Sequence, residues 1–159
     1  MAGKGWLLLL LIAIGAVIAT SVSASNELAG PGTIRVTTRE VARTVVDLGA
    51  HGRSPGDLMI RNALIFNRRI TTHAIGHEEV MCTYLGRGSA FGSGSRDCSV
   101  TVFLPKGKIV AEGAAHNQFI YRLAVVGGTG IYDNVRGTLT VTFLSGGPRR
   151  ELLLFLLSV

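Results

Sequence analysis

From residue 33 onward, apolar and polar residues alternate in short stretches that end at turns rich in glycine and proline. In residues 137–144, Leu139, Val141 and Phe143 face one side and three threonines face the other. A period of two with β-branched residues is typical of a half-buried β-strand. The same pattern predicts strands in 57–66, 79–85, 98–104, 109–115 and 119–126, and one long bent strand or two short ones in 33–48. Short, evenly spaced strands without a long helical pattern predict an all-β domain, a barrel or a sandwich.

The last apolar segment, residues 152–157 (LLLFLL), does not alternate. A strand that is apolar on both faces needs cover on both faces. We therefore predict that this segment closes the sheet on one side and meets a second copy of the chain on the other, giving a homo-oligomer. A short buried helix is the alternative.

The first residues have a different composition. Lys4 precedes an apolar run over residues 6–19, and residues 20–24 are small and polar. Charge, apolar run and small-residue exit predict a signal peptide over residues 1–24, cut before Ser25. A flexible leader (25–32) and a single barrel domain (33–159) would follow. The mature protein would be secreted or exported, extracellular or periplasmic, and free of the membrane. An uncleaved anchor is the alternative, although the run is shorter than the roughly 20 apolar residues that span a bilayer.

Cys82 and Cys98 are the two cysteines of the chain. In an exported protein an isolated pair predicts a disulfide, and the absence of a CxxC motif argues against a zinc or redox site. The net charge is +6, but the basic residues are scattered. A nucleic-acid binder gathers its basic residues into a patch, so we predict no nucleic-acid partner.

Several stretches go beyond a generic β pattern. They are Ser54-Pro55-Gly56-Asp57, then Gly76-His77, then VFLPKGKI at 102–109, and finally GGTGIYDNVRG at 127–137. Their order and spacing resemble the allene oxide cyclase-like and dirigent-like β-barrel superfamily, and more narrowly its secreted bacterial-type members with a cysteine pair. The resemblance covers most of residues 33–143, and the GGTG-x-Y-x-x-x-R-G block is its most specific part.

The resemblance implies a small closed antiparallel barrel of about eight strands with an apolar interior. Relatives use that interior to hold a reactive, mostly hydrocarbon intermediate and to direct its ring closure or coupling. The expected partner is therefore a small apolar molecule, and the expected activity is isomerase- or cyclase-like, or dirigent-like, with no cofactor and no metal.

The same resemblance places Arg136 in the pocket region, where it could polarise a carbonyl or hold an anionic group. The alternative is a structural arginine tied to loop carbonyls or to Asp57 or Asp133. Gly127, Gly128, Thr129 and Gly130 precede a strand and lack the Lys-Ser/Thr pair of a phosphate loop. They are predicted to form a structural turn.

Tyr84 and Tyr121 lie on the more apolar faces of their strands, so their hydroxyls could enter a cavity if those faces point inward. The alternative is a pair of ordinary core tyrosines. Glu112 shares a strand face with His116 and could act with it as an acid/base pair. Exposure of that face to solvent is equally compatible with the sequence.

Two carboxylates and two histidines lie in the region before Cys82. Glu78 and Glu79 are adjacent, so on a strand they face opposite ways and cannot form a carboxylate pair. His73 and His77 lie in a strand or turn pattern, which does not predict a metal site.

Two other functions remain open. The barrel could be a non-enzymatic carrier of a hydrophobic ligand, or a stable body whose 152–157 edge is an interaction surface. An open cavity with converging polar groups would favour chemistry, and an interior filled by side chains would favour a structural role.

Overall fold

The computed structural model describes residues 32–67, 70–87, 94–145 and 149–158, without the side chains of 70–72. The predicted signal peptide (1–24), and the predicted leader up to residue 31, lie outside the described residues. Over the described ranges, no helix has the length and apolar character needed to cross a membrane.

Eight antiparallel strands follow one another around a closed barrel, and the last strand pairs with the first. This confirms the prediction of a small closed all-β barrel. A 3-10 turn (Gly130–Tyr132) lies in the connection between the sixth and seventh strands. The strands are β1 (Gly32–Val46), β2 (Leu58–Asn67), β3 (Ile70–Tyr84), β4 (Ser95–Leu104), β5 (Gly107–His116), β6 (Ile120–Gly128), β7 (Arg136–Leu144) and β8 (Arg150–Ser158).

The uniformly apolar segment 152–157 forms most of β8, so the alternative of a short buried helix is wrong. Its side chains alternate between the two faces although its sequence does not. Leu153 and Phe155 are fully buried inside the barrel, whereas Leu156 on the outer face is 52% exposed. Pairing with both β1 and β7 removes the free sheet edges, which explains why β8 is needed to close the barrel.

Two strands differ from the sequence-based expectation in length. The 33–48 pattern becomes one long strand, β1, with a bulge between Glu40 and Ala42 that bends it. β3 begins at Ile70, well before the predicted start at residue 79. Residues 70–78 carry few apolar side chains, so the alternation that marked the other strands is weak there, and pairing with β2 defines the strand instead.

A disulfide joins Cys82 of β3 to Cys98 of β4, as predicted. The two residues are direct cross-strand partners with a Cα–Cα distance of 4.1 Å, and both side chains are buried. Such a bond restricts the conformations of the unfolded chain and thereby stabilises the folded state by about 3 kcal/mol in the loop-entropy picture. It also prevents a register slip between β3 and β4, which would turn every side chain to the wrong face.

The two ends of the barrel differ. The connections β2–β3, β4–β5 and β6–β7 lie at one end, which we call the filled end. The interior there is occupied by fully or almost fully buried apolar side chains from six strands, namely Ile65, Val102, Ile109, Val125, Leu139 and Phe155. The connections β1–β2, β3–β4, β5–β6 and β7–β8 lie at the opposite end, which we call the cavity end.

At the filled end the GGTG segment packs directly on the β4–β5 turn. The Thr129 amide donates to the Lys108 carbonyl at 2.9 Å, and the Lys108 amide donates to the Thr129 hydroxyl oxygen at 3.3 Å. A Cβ at Gly107 would lie 2.0 Å from the Thr129 carbonyl oxygen, and a Cβ at Gly130 would lie 2.2 Å from that of Lys106. The glycines are therefore required by close approach of two backbones, which is a structural role.

Candidate functional site

A cavity of about 400 Å³ enters the barrel at the cavity end. Its volume falls within the range of small-molecule sites. Side chains from seven strands, all except β5, form its floor and walls, and the β1–β2, β5–β6 and β7–β8 connections contribute to its mouth. The lining residues are Arg43, Arg53, Met59, Arg61, Val80, Arg96, Asn117, Gln118, Phe119, Tyr121, Phe143, Arg149 and Glu151.

A buried ion cluster forms the floor. Arg61 on β2 donates a hydrogen bond at 3.0 Å to Glu78 on β3, and a second, short one to Glu151 on β8. The exposed fractions are 3% for Arg61, 1% for Glu78 and 2% for Glu151. Arg61 pairs with Val80, so Glu78 is its diagonal neighbour on the inner face, whereas Glu151 reaches it across the interior from beyond β1.

The cluster holds two carboxylates against one guanidinium. Burial raises the pKa of Glu78, the charge of Arg61 lowers it, and the charge of Glu151 raises it, leaving the pKa at about 7. Burial alone would lower the pKa of Arg61, but the charges of Glu78 and Glu151 outweigh burial and raise it. Arg61 is therefore always a cation, and the cluster can take up or release one proton near neutral pH.

Three polar atoms of the cluster are buried without a hydrogen-bond partner among the described residues. They are Nε of Arg61, Oε1 of Glu78 and Oε2 of Glu151. An unsatisfied buried polar atom destabilises a fold by about 1–3 kcal/mol, so proteins rarely keep one without a purpose. Of the three residues, Arg61 and Glu151 line the cavity, where a bound molecule could supply the missing partner.

Tyr121 on β6 stands beside this floor. Its ring lies 6.0 Å from that of Phe143, and the guanidinium carbon of Arg96 is 5.9 Å from its centroid. Burial and the charge of Glu151 raise the pKa of Tyr121 above its usual range, against the opposing charges of Arg61 and Arg96. The hydroxyl therefore stays protonated and can donate a hydrogen bond, but it is a poor base.

Of the four residues predicted to be catalytic, the structure places Tyr121 in the cavity wall. Tyr84 is also buried and faces inward, but it is not a lining residue; the guanidinium of Arg53 covers its ring at 5.2 Å. Glu112 and His116 are exposed on the outer face of β5. Their predicted acid/base role therefore has no support from this placement.

Arg136 lies at the filled end, at the start of β7, away from the cavity. It is exposed, and its Nη1 donates at 2.9 Å to the carbonyl oxygen of Val135. This contact matches the alternative of a structural arginine tied to a loop carbonyl, and the predicted pocket role stays a prediction.

The three residues of the floor, Arg61, Glu78 and Glu151, were not among the site residues predicted from the sequence. A signal was present, because each continues an apolar strand face at a spacing of two. Arg61 lies between Met59 and Ala63, and the other two precede Val80 and Leu153 in the same register. A charged residue on the inner face of a barrel strand is costly unless paired, so these positions indicate either a buried pair or a site.

No family model and no curated protein sequence matches the chain. Among solved structures, a pyocyanin demethylase is 22% identical with a TM-score of 0.66, over 77% of this chain and 99% of its own. A pterocarpan synthase dirigent protein is 13% identical with a TM-score of 0.64, over 80% and 94%. An exo-specific intermolecular Diels–Alderase is 14% identical with a TM-score of 0.63, over 81% and 99%. At these identities the likeness concerns the fold: the chain has the eight-stranded barrel found in dirigent proteins and Diels–Alderase cyclases, as its sequence resemblance predicted.

Proposed function

We propose that the barrel binds a small, largely apolar organic molecule in its cavity and directs the cyclisation or coupling of that molecule without a cofactor. The observation that carries the proposal is the cavity of about 400 Å³, in which Tyr121 of the wall stands beside the floor residues Arg61 and Glu151, next to the apolar side chains of Met59, Val80 and Phe143. An interior filled by side chains along its whole length would have favoured a purely structural role.

Confinement would supply one part of the rate enhancement. A flexible molecule held in one folded conformation loses, before reaction, the freedom that opposes ring closure. The walls formed by Met59, Val80 and Phe143 would also exclude water from a reactive intermediate.

The polar floor would supply the other part. The Tyr121 hydroxyl stays protonated because of its raised pKa, so it would donate a hydrogen bond to a substrate oxygen that gains negative charge. Oε2 of Glu151 has no partner among the described residues and would accept a hydrogen bond or a proton from the substrate. Arg61 would hold the Glu151 carboxylate in position.

The structural neighbours support this class of reaction. By their names, two of them are a pterocarpan synthase dirigent protein and a Diels–Alderase, and they share the barrel with this chain. A third is a pyocyanin demethylase, so the fold also serves another reaction on a small organic molecule. Because fold alone does not determine function, the site residues must be tested directly.

The first experiment is native mass spectrometry of the mature protein purified without detergent from its own host. We expect a reproducible additional mass that is lost on denaturation, and its identity defines the compound for turnover assays. Tyr121→Phe and Glu151→Gln should each lower turnover by about a hundredfold, the size expected for a lost donor or proton-transfer group. Tyr132→Phe removes a hydroxyl outside the cavity lining and is the matched control.

Each other result has a definite meaning. Protein that carries no compound and binds none added would contradict the proposal. A compound that is bound and returned unchanged would identify a carrier. Equal losses in Tyr121→Phe and Tyr132→Phe would remove the assigned role of Tyr121. The same assay on Arg136→Ala and Glu112→Gln tests the roles predicted for those residues from sequence.

We also propose that the protein is exported. The buried Cys82–Cys98 disulfide supports an oxidising compartment, where such bonds persist. The predicted homo-oligomer is supported by the outer face of β8, which presents Leu152, Leu154 and Leu156 to the barrel surface. Analytical ultracentrifugation of Leu154→Lys and Leu156→Lys tests it, because a monomer in both the variant and the parent would contradict the interface.

A further inference from the structure

The charges around the cavity are unevenly distributed. Five arginines line it, against a single lining carboxylate, that of Glu151. Two of the arginines are already neutralised: Arg61 by the floor carboxylates, and Arg43 by Glu40, with a contact of 2.7 Å between Nη2 and Oε2. Within the described part of the chain, the remaining three, Arg53, Arg96 and Arg149, make no ion pair.

These three arginines lie at the cavity end of the barrel, and aromatic rings position two of them, Arg53 and Arg96. The guanidinium groups of Arg53 and Arg96 lie over the rings of Tyr84 and Tyr121 at 5.2 and 5.9 Å. Contact with an aromatic face uses the flat side of a guanidinium and leaves its N–H edge available for hydrogen bonds. Nε of Arg96 is fully buried, and no described residue accepts a hydrogen bond from it.

The floor has the opposite character. Glu151 lines it and Glu78 lies directly behind it, and each has one carboxylate oxygen without a partner among the described residues. A second anion placed there would be repelled, and its charge would be buried far from water. Unpaired positive charge therefore lies at the mouth of the cavity, whereas the guanidinium of Arg61 at the floor is already neutralised by its two carboxylates.

We propose that the ligand of this cavity is an amphiphilic organic anion. Its oxyanion group lies at the mouth among Arg53, Arg96 and Arg149, and its uncharged apolar part points inward to Tyr121. The inference rests on the proposed function because it uses the same cavity, and it adds both the charge class and the direction of the ligand. Arginine is suited to this task because its fork of N–H donors matches a planar or tetrahedral oxyanion.

A matched pair of fluorescent probes tests the charge requirement. Anilinonaphthalene sulfonate and phenylnaphthylamine share one aromatic skeleton and differ in a single sulfonate group. We expect the sulfonate to bind at least about tenfold more tightly to the full mature protein, and its advantage to shrink as salt is added.

Variants locate the effect. Arg96→Gln combined with Arg149→Gln should weaken binding of the sulfonate by about tenfold and leave the uncharged probe within about twofold, because each exposed or half-exposed arginine contributes modestly. The control is Arg35→Gln combined with Arg122→Gln, which makes the same change in net charge at two exposed positions outside the cavity lining. Equal thermal midpoints for the variants establish that all are folded.

Equal affinities for the two probes, or equal losses in the mouth and control variants, would overturn the inference and leave the proposed function intact. Weaker binding of the uncharged probe to the mouth variant would also overturn it, because the arginines would then affect the shape of the cavity and not its preference for an anion. Failure of both probes to bind the parent protein contradicts the proposed function itself.

Discussion

The two ends of the barrel use the same strands for opposite purposes. At the filled end, side chains such as Ile109, Leu139 and Phe155 occupy the interior, and glycines let two connections pack backbone against backbone. At the cavity end, the same inward positions hold Arg61 and Tyr121 and leave about 400 Å³ unfilled. Buried apolar side chains fill one end, whereas the other contains buried charge and polar atoms without a hydrogen-bond partner among the described residues.

The filled end therefore stabilises the barrel, and the cavity end holds the candidate site. An unfilled volume and a buried ion cluster both lower stability relative to a packed apolar core. The filled end, the closed hydrogen-bond ladder and the Cys82–Cys98 disulfide offset that loss. The most specific sequence block, GGTG-x-Y-x-x-x-R-G, therefore belongs to the end that holds the barrel together, away from the cavity.

The largest effect is expected from removing the central cation of the floor. Arg61→Met leaves the Glu78 and Glu151 carboxylates buried without their partner, and breaking a buried pair in this way destabilises a protein by about 3–5 kcal/mol. Urea denaturation monitored by circular dichroism measures the change in the free energy of unfolding.

The control is the triple variant in which Glu78→Gln and Glu151→Gln accompany Arg61→Met. Without charges to bury, it should recover most of the lost stability. A triple variant as unstable as Arg61→Met would show that packing of the arginine, and not charge balance, maintains the floor.

A smaller loss is expected at the filled end. Gly107 has φ +146°, and an added Cβ would lie 2.0 Å from a backbone oxygen, so Gly107→Ala must displace the GGTG segment. Strain and overpacking together should lower the free energy of unfolding by about 2–4 kcal/mol. Binding of phenylnaphthylamine by the folded fraction should remain unchanged, because the cavity lies at the other end.

Gly86→Ala is the matched control, because a Cβ there meets nothing within 4 Å. We expect it to change the free energy of unfolding by less than about 0.5 kcal/mol. If Gly107→Ala also abolished probe binding, the two ends would be coupled, and the filled end would not be independent of ligand binding.

The sequence predicted the barrel well because most strands show the alternation of apolar and polar residues within their own segment. In β7 the alternation of Leu139 and Val141 with threonines defines both the strand and its inner face. The disulfide also followed from two cysteines in an expected oxidising compartment, and the register later made them direct partners. For β8 the prediction left strand and helix open, because a run of leucines contains no period and pairing with β1 and β7 decides the outcome.

The candidate site was predicted less well, for a physical reason. Arg61, Glu78 and Glu151 are distant in sequence and meet through the closure of the barrel. The spacing of two along each strand indicated that these side chains face inward, but it did not indicate which charged residues pair with one another. Arg136 was selected because it belongs to a specific motif, and the structure connects that motif to packing against the β4–β5 turn, with Arg136 itself bound to a loop carbonyl.

The smallest expected effect is a pH dependence that belongs to the cavity end. Folding raises the pKa of Glu78 from its usual 4.5 to about 7, so between these values the folded protein holds a proton that the unfolded chain has lost. The resulting stabilisation is fully present below about pH 4.5 and is lost as the pH rises through about 7, a change of about 1–3 kcal/mol in the free energy of unfolding. Asp57 has the opposite sign: hydrogen bonds from the Leu48 and Ser54 amides lower its pKa, so its contribution is lost only in acid.

Urea denaturation at intervals between pH 5 and pH 8 measures this slope, and Glu78→Gln, which cannot ionise, should flatten it. Glu79→Gln is the control, because that neighbouring carboxylate is exposed on the outer face. Equal slopes in the parent and Glu78→Gln would show that Glu78 does not hold the proton, and Glu151, the other carboxylate bound to Arg61, would then be the group to replace next. A slope removed by Glu78→Gln alone would locate the proton at the floor of the cavity, within reach of the residues proposed to act on the ligand.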